Sequence, residues 1–254
     1  MAGIMNKASL HIDQKVAGER PYLSVIIPVY NEEKRIGDSL EKIIAFLGEK
    51  DYSWEIVVVD DGCKDRTLEI AGEKVPAEHL NILINERNMG KGATIRNGMI
   101  NARGELRLFS DADLSTPIEE LDKLAAPVKE GYDVTFGSRA MKESKLEVRQ
   151  PWHRELMGRI FNLIVQILHL PGVKDTQCGF KLFTRKAAED IFPRQKMPGF
   201  AFDVEILVIA KKLGYKMKEV PVRWIDSPAS KVSPVKDAIK MFLDLVKLKL
   251  RRIK

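Results

Sequence analysis

Four short, uniformly apolar runs mark the first 110 residues, and a polar cluster follows each of them. They are Leu23–Val29, Trp54–Asp60, Leu80–Ile84 and Glu105–Phe109, rich in Val and Ile, and they read as strands. Helical patterns separate them, at about Glu33–Leu47, Asp65–Glu73 and Lys91–Ala102, and Pro117 suits the first turn of a further helix. Strands that are apolar on both faces and alternate with helices predict an α/β fold, with a mostly parallel sheet covered by helices on both faces. Ligands of such sheets sit beyond the carboxyl ends of the strands. The clusters Pro28–Glu32, Asp60–Asp65, Glu86–Lys91 and Asp111–Asp113 are therefore expected to converge on one crevice.

The second half is patterned differently. A strand is expected at Tyr132–Ser138, then a basic connector over Lys142–Arg149 and a long helix over about Trp152–Leu170. A strand at Phe180–Thr184, a helix at about Asp203–Leu213, a strand at Lys216–Val220 and a last helix at about Pro234–Arg251 follow. No linker separates the halves. The expectation is a single domain over residues 21–254 after a flexible extension of residues 1–20, with a change of role near residue 130.

Composition narrows the classes. At 44% hydrophobic and 31% charged residues over 254 positions, the chain can bury an ordinary globular core. The two cysteines, Cys63 and Cys178, lack metal-ligand spacing, so zinc and disulfides are not expected and a reducing compartment is favoured. The first twenty residues carry no apolar run of a signal peptide, and no stretch is long and apolar enough to predict a spanning helix. The net charge of +6 gathers at Lys142–Arg159 and Lys236–Lys254, which suits nucleic acid, anionic lipid or a phosphorylated substrate. Dinucleotide and P-loop glycine fingerprints are absent.

Asp111 and Asp113 carry the sharpest chemistry. In an extended stretch, residues two apart point the same way, so both carboxylates can face one point. Two hard oxygen donors suit a divalent ion that completes its shell with water and phosphate, although a solvated turn would use the same residues. Asp60 and Asp61 can accept from a nucleobase imide or a ribose hydroxyl, or cap the following segment, where Asp65 is the better cap. Asn88-Met89-Gly90-Lys91-Gly92 sets a cation and two glycines at a helix start, either a diphosphate site on backbone N–H groups or a plain turn.

Taken together, Val25-Ile26-Ile27-Pro28-Val29-Tyr30-Asn31-Glu32, Val58-Val59-Asp60-Asp61-Gly62, Asn88-Met89-Gly90-Lys91-Gly92 and Asp111-Ala112-Asp113 resemble the family-2 inverting glycosyltransferases of GT-A fold over residues 22–225. Gly137-Ser138-Arg139 and Asp175-Thr176-Gln177-Cys178-Gly179-Phe180-Lys181-Leu182-Phe183 resemble members that load sugars onto polyprenyl phosphates, dolichyl-phosphate glucosyltransferases in particular. The resemblance implies a nucleotide-sugar half over residues 21–130 and an acceptor half over 131–254. Pro28, Tyr30 and Glu32 would line the nucleotide pocket with Asp60, Asn88, Gly90 and Lys91, and Asp61 would read the base. Asp111 and Asp113 would hold Mg²⁺ or Mn²⁺ on the diphosphate. Arg139 would assist catalysis, and Arg149, Arg154 and Lys181 would meet the acceptor phosphate. Cys63 stands where a serine is common, Ser115 where mannosyl relatives often carry a glutamine, and Gly179 where related bacterial transferases carry an acidic residue.

These features imply transfer of glucose from UDP-glucose to a polyprenyl phosphate, with GDP-mannose-dependent mannosyl transfer as the alternative. A phosphate acceptor is already anionic and needs no base, so Gly179 favours it over a hydroxyl. A nucleotidyltransferase would need a glycine-rich basic loop where Tyr30-Asn31-Glu32-Glu33 stands, and a processive synthase a glutamine that Val220-Pro221-Val222-Arg223-Trp224 lacks. A basic nucleic-acid-binding module remains the reading of another class, without a stacking-aromatic pattern to support it. Arg149, His153, Arg154 and Arg159 surround Trp152 ahead of an apolar run, and Val235, Ile239, Phe242, Val246 and Leu250 share one face of the last helix among lysines. Both segments suit lying on a membrane surface, and the last equally suits covering the sheet. A peripheral protein on the cytosolic face of a membrane is expected. Removing residues 236–254 should then release it while sparing nucleotide binding.

Overall fold

The computed structural model of the chain describes residues 20–148, 152–226 and 234–251. Strands β1 (Leu23–Val29), β2 (Trp54–Asp60), β3 (Leu80–Ile84) and β4 (Leu106–Ser110) alternate with helices α1 (Ile36–Gly48), α2 (Thr67–Lys74) and α3 (Lys91–Asn101). After α4 (Leu121–Lys129) come β5 (Val134–Ser138), β6 (Lys145–Val148), α5 (Trp152–Leu168), β7 (Phe180–Thr184) and α6 (Arg185–Ile191). The chain continues with α7 (Phe202–Lys212), β8 (Met217–Pro221), β9 (Arg223–Ile225) and α8 (Pro234–Leu250).

Seven strands form one sheet in the order β3-β2-β1-β4-β7-β5-β8, so it runs unbroken from the first half of the chain into the second. Every pairing is parallel except those of β7, which lies antiparallel to both β4 and β5. That inversion brings the loop before β7 to the same edge as the loop after β4. Alternate residues of the strands feed opposite layers. Ile26, Val57, Val59 and Phe109 face α3, α6, α7 and α8, while Val25, Ile27, Ile56, Val58 and Leu108 face α1, α2 and α4. Each such buried side chain contributes on the order of 1.5–3 kcal/mol.

Four elements depart from expectation: β6, β9, α6 and α1. The basic connector contains β6, which pairs in parallel with β9 in a separate two-stranded sheet. Lys145-Leu146-Glu147-Val148 alternates over only four residues and all four are exposed, so its apolar positions face no core. α6 also went unexpected: it is one short helix, started by the Thr184 hydroxyl accepting from the Ala187 N–H. α1 starts at Ile36 rather than Glu33, because residues 30–35 turn instead, with Asn31 left-handed at φ 52° and the Glu32 carbonyl accepting from Arg35 and Ile36. The expected extension, apart from Arg20, and Arg149 lie outside the described residues, as do the side chains of Trp152, His153, Arg154, Val235, Lys236, Ile239 and Lys240 and the whole of Arg252.

Candidate active site

Asp111 and Asp113 follow β4 at its carboxyl end, in a tight turn closed by the Leu114 N–H donating to the Asp111 carbonyl at 3.1 Å. Leu114 is left-handed at φ 46°, a strained setting for a branched residue, and its side chain is buried. The turn holds both carboxylates up. Asp113 Oδ1 accepts from the Ser115 N–H at 3.0 Å, and Asp111 Oδ1 lies 2.6 Å from the Lys91 ammonium. Asp113 Oδ2 meets Arg35 at 3.4 Å, and Arg35 also forks onto Glu32. Glu32, buried, holds the Arg35 pKa up, with further help from Asp113 and Asp111. Burial pulls Lys91 down, but Asp111, Asp203 and Asp113 outweigh it, so the ammonium stays charged. Each cation thus lies in the field of both carboxylates, which a turn presents here and not the extended stretch expected of the pair.

Gly179 explains its own departure. Its carbonyl accepts from the Asp111 N–H at 3.2 Å, and a Cβ there would collide with the Asp111 carboxylate. The inverted strand β7 brings the two backbones this close, so any larger residue would displace the acid.

The diphosphate site on backbone N–H groups is corrected. At the start of α3, the Gly92 and Ala93 N–H groups donate to the Pro198 carbonyl, at 2.8 and 3.3 Å. Gly90 and Gly92 are needed for that approach: a Cβ on Gly90 would stand 2.6 Å from the Pro198 oxygen, and one on Gly92 would meet the Met197 oxygen. The helix end is filled by protein, and Lys91 alone carries charge outward from it. Asp61 is buried and holds the same loop, accepting from Met89 N–H at 2.7 Å, Gly90 N–H at 3.0 Å and Asn85 at 2.9 Å. Asp60 accepts from the Gly62 and Cys63 N–H groups, as a turn-capping acid. The Cys63 backbone thus makes the turn, and its thiol is pushed up to about 12 by burial and by Asp60. Asp65 is not the N-cap expected of it: Arg66 holds that position without a side-chain bond, and Asp65, one residue earlier, accepts from the Thr67 N–H at 3.1 Å. Pro28 is half-buried, and Tyr30 and Asn88 are exposed at this rim.

The second half adds buried ion pairs. Arg139 grips Asp175 through two guanidinium bonds of 2.7 and 2.9 Å and lies over the Trp224 ring. Burial lowers the Arg139 pKa, but Asp175 more than restores it and is itself held below the carboxylate range. Lys181 is corrected. Its ammonium is fully buried against Asp203, the Cys178 carbonyl and the Phe109 ring, where an acceptor phosphate does not reach. Burial raises Asp203, against the opposing pull of Lys181 and Lys91. Arg35 and Asp203 were not anticipated. Arg35 follows Glu32 by three residues, an ordinary spacing, and Asp203 carries no local signal of its distant lysine. A cleft of about 740 Å³ opens at the other end of the sheet, by Tyr22, Tyr52 and Leu106, away from all these groups.

Strand-end carboxylates opposed by cations thus stand at one edge of a sheet of the GT-A kind. The sequence model of glycosyl transferase family 2 matches residues 24–192, and the chain belongs to that family. Within it, the chain is similar to dolichyl-phosphate beta-glucosyltransferases. It is 36% identical to that of Dictyostelium discoideum over 94% of this chain and 77% of the relative, and 37% identical to that of Saccharomyces cerevisiae over 95% and 78%. Among solved structures, glucosyl-3-phosphoglycerate synthase from Mycobacterium tuberculosis, in complex with Mn²⁺, UDP-glucose and phosphoglyceric acid, superposes with a TM-score of 0.66 at 19% identity, covering 91% of this chain and 79% of that one. Mannosyl-3-phosphoglycerate synthase from Rubrobacter xylanophilus gives 0.68 at 20%, covering 91% and 74%.

Proposed function

We infer that this glycosyltransferase moves glucose from UDP-glucose to a polyprenyl (dolichyl) phosphate, with inversion at the sugar. The observation that carries the reading is the carboxylate pair Asp111 and Asp113, each set against its own cation, in a chain related over nearly its whole length to dolichyl-phosphate beta-glucosyltransferases. Residues 21–254 act as one catalytic unit, with the donor handled by 21–130 and the acceptor by 131–254.

The donor set fits Mg²⁺ or Mn²⁺. Among the described residues, no group of three or more His, Cys, Asp or Glu side chains could hold a metal ion, so Asp111 and Asp113 would hold it together with donor phosphate and water. A bound ion supplies charge compensation for the departing diphosphate. Lys91, kept protonated by its carboxylate neighbours, adds positive charge at the same edge, and Arg35 orients Asp113. Asp61 Oδ2 accepts from the Gly90 N–H at 3.0 Å and has a second lone pair with which to accept from the base. Pro28, Tyr30, Glu32, Asp60, Asn88 and Gly90 shape the same rim. An oxygen of the lipid phosphate forms the new bond to the anomeric carbon as the bond to the UDP oxygen breaks. The attacking oxygen already bears charge, so no base is required and catalysis rests on alignment and electrostatics. Arg139, held by Asp175 beside Trp224, faces this transfer from the acceptor side. Arg149 and Arg154 remain its candidates for the acceptor phosphate.

The lipid places the enzyme at a membrane surface. No helix among the described residues is long and apolar enough to cross a bilayer. α5 exposes Leu156, Ile160, Leu163 and Ile167 along one face, and α8 exposes Phe242, Val246 and Leu250, beside Arg159, Lys247 and Lys249. Each such cation near an anionic surface contributes about 1 kcal/mol. Removing residues 236–254 is a poor test, because Met241, Leu245 and Leu248 belong to the core. Leu163→Ser with Ile167→Ser, at side chains 57% and 73% exposed, should instead cut sedimentation with phosphatidylserine-containing liposomes and leave the melting temperature unchanged.

The deciding experiment incubates pure protein with a polyprenyl phosphate, Mg²⁺ and either UDP-glucose or GDP-mannose, and weighs the lipid product. A glucolipid from UDP-glucose is expected. A mannolipid from GDP-mannose would move the assignment to mannosyl transfer. No glycolipid from either donor, with retention on heparin, would return the nucleic-acid-binding reading.

A further inference from the structure

Residues 195–199 form a strap across the start of α3. Gln195 donates from its amide to the Gly92 carbonyl at 2.8 Å and to the Met197 carbonyl at 3.0 Å, and Pro198 caps the Gly92 and Ala93 N–H groups. Lys91, whose ammonium meets Asp111, is flanked by the two glycines this strap presses on. The strap has its own anchor. Glu205, a fully buried carboxylate of α7, accepts from the Lys196 N–H at 2.9 Å and from the Met197 N–H at 2.7 Å. The remaining partner of Glu205 comes from the far end of the chain: the Arg251 guanidinium pairs with it and also donates to the Arg194 carbonyl, just before the strap. A buried carboxylate without a cation is costly, and an arginine fork that bonds two groups at once fixes their separation.

We propose that Arg251 is a positioning residue for the donor site: through Glu205 it locks the strap that caps α3, and so sets Lys91 against Asp111. The end of the C-terminal helix, on which the apolar face of α8 lies, is thereby part of the donor site's framework. The proposal runs against the expectation that removing residues 236–254 spares nucleotide binding, since Arg251 is one of them. This role rests on reading Lys91 and Asp111 as the donor site.

The test compares the full-length wild type with Arg251→Gln, Arg251→Lys and, as a control on α7, Lys211→Gln, whose ammonium faces the His169 carbonyl. Two quantities are measured: the calorimetric affinity for UDP with Mn²⁺, and amide hydrogen exchange at Gly92, Ala93, Lys196 and Met197. Arg251→Gln should weaken UDP binding about fivefold to tenfold and speed exchange at those four amides at least tenfold, with exchange in β1 and β2 unchanged. Arg251→Lys, which keeps the charge and loses the fork, should fall between the two, and Lys211→Gln should match wild type. Wild-type affinity, or wild-type protection of the four amides, in Arg251→Gln overturns the proposal. Exchange that also quickens throughout the sheet overturns it too, because the residue would then be a general stabiliser. Wild-type protein that binds no UDP overturns the donor reading itself, whatever the exchange shows.

Discussion

The two halves of the sheet supply the site by different means. In the first half, carboxylates at strand ends are turned mainly by their own backbone: Asp60 by Gly62 and Cys63, Asp65 by Thr67, and Asp113 by Ser115. Asp61, which reaches across to Met89 and Gly90, and Asp111, which meets Lys91, are exceptions, and Asp113 also meets Arg35. In the second half, orientation comes from buried ion pairs between residues far apart in sequence, Arg139 with Asp175, Lys181 with Asp203, and Arg251 with Glu205. Local turns leave Asp65 and Asp113 half-open toward solvent at little cost, whereas Asp60 is buried. Buried pairs are sheltered from solvent, and losing one partner strands the other's charge. Substitution in the first half should therefore strike chemistry, and in the second half substitution within the fully buried Lys181–Asp203 pair should strike global stability as well.

The largest expected effect tests the first part of that contrast. Asp113→Ala, or Asp111→Ala, should lower transfer roughly 10³-fold, while thermal unfolding stays close to wild type. Near-normal turnover at saturating Mg²⁺ would sink the metal-site assignment, and a collapsed melting temperature would erase the distinction between the halves.

Lys181→Met probes the other side. It strands Asp203 in the interior and should cost about 3–5 kcal/mol in denaturant unfolding, whereas adding Asp203→Leu should recover most of that loss. A single variant as stable as wild type would mean the pair contributes nothing.

Gly179→Ala tests the seam where the halves meet. The added methyl must push the Asp111 carboxylate aside, so activity should drop roughly 10–100-fold with a milder loss of stability. Unchanged activity would show that Asp111 has room to move.

The smallest effect concerns acid. Burial works against the Asp65 and Asp175 carboxylates, yet both are held below the ordinary range, Asp65 by Thr67 and the Glu33 N–H and Asp175 by Arg139. A depressed carboxylate stabilises the fold above its unfolded pKa of about 3.9, and that support is lost as pH falls through the folded value. Stability measured from pH 6 to pH 2 should lose more of its pH dependence in Asp175→Asn than in Asp65→Asn. Equal curves would show that the buried pair is no stronger than the local turn. Asp203 has the opposite sign: its folded pKa is raised, so its share of stability declines as pH rises past the unfolded value.

By itself, the sequence determined the strands β1 to β4, β7 and β8, the long helices α5, α7 and α8, and the edge at which the acids gather. Those follow from periodicity and from the rule that parallel strands deliver their loops to one end, both local properties of the chain. Asp111 and Asp113 were legible as two acids just after an apolar run, but they sit in a tight turn and not in the extended stretch that their spacing suggested. Tertiary structure alone decided that β7 runs antiparallel, that Gly179 leaves no room beside Asp111, and that Pro198 fills the helix end meant for phosphate. It also decided that Lys181 belongs to Asp203 and Arg251 to Glu205. A lysine reads the same in a sequence whether it meets solvent, a ligand or a buried acid. Only the packing of strands and helices separated by tens of residues fixes which of these it finds.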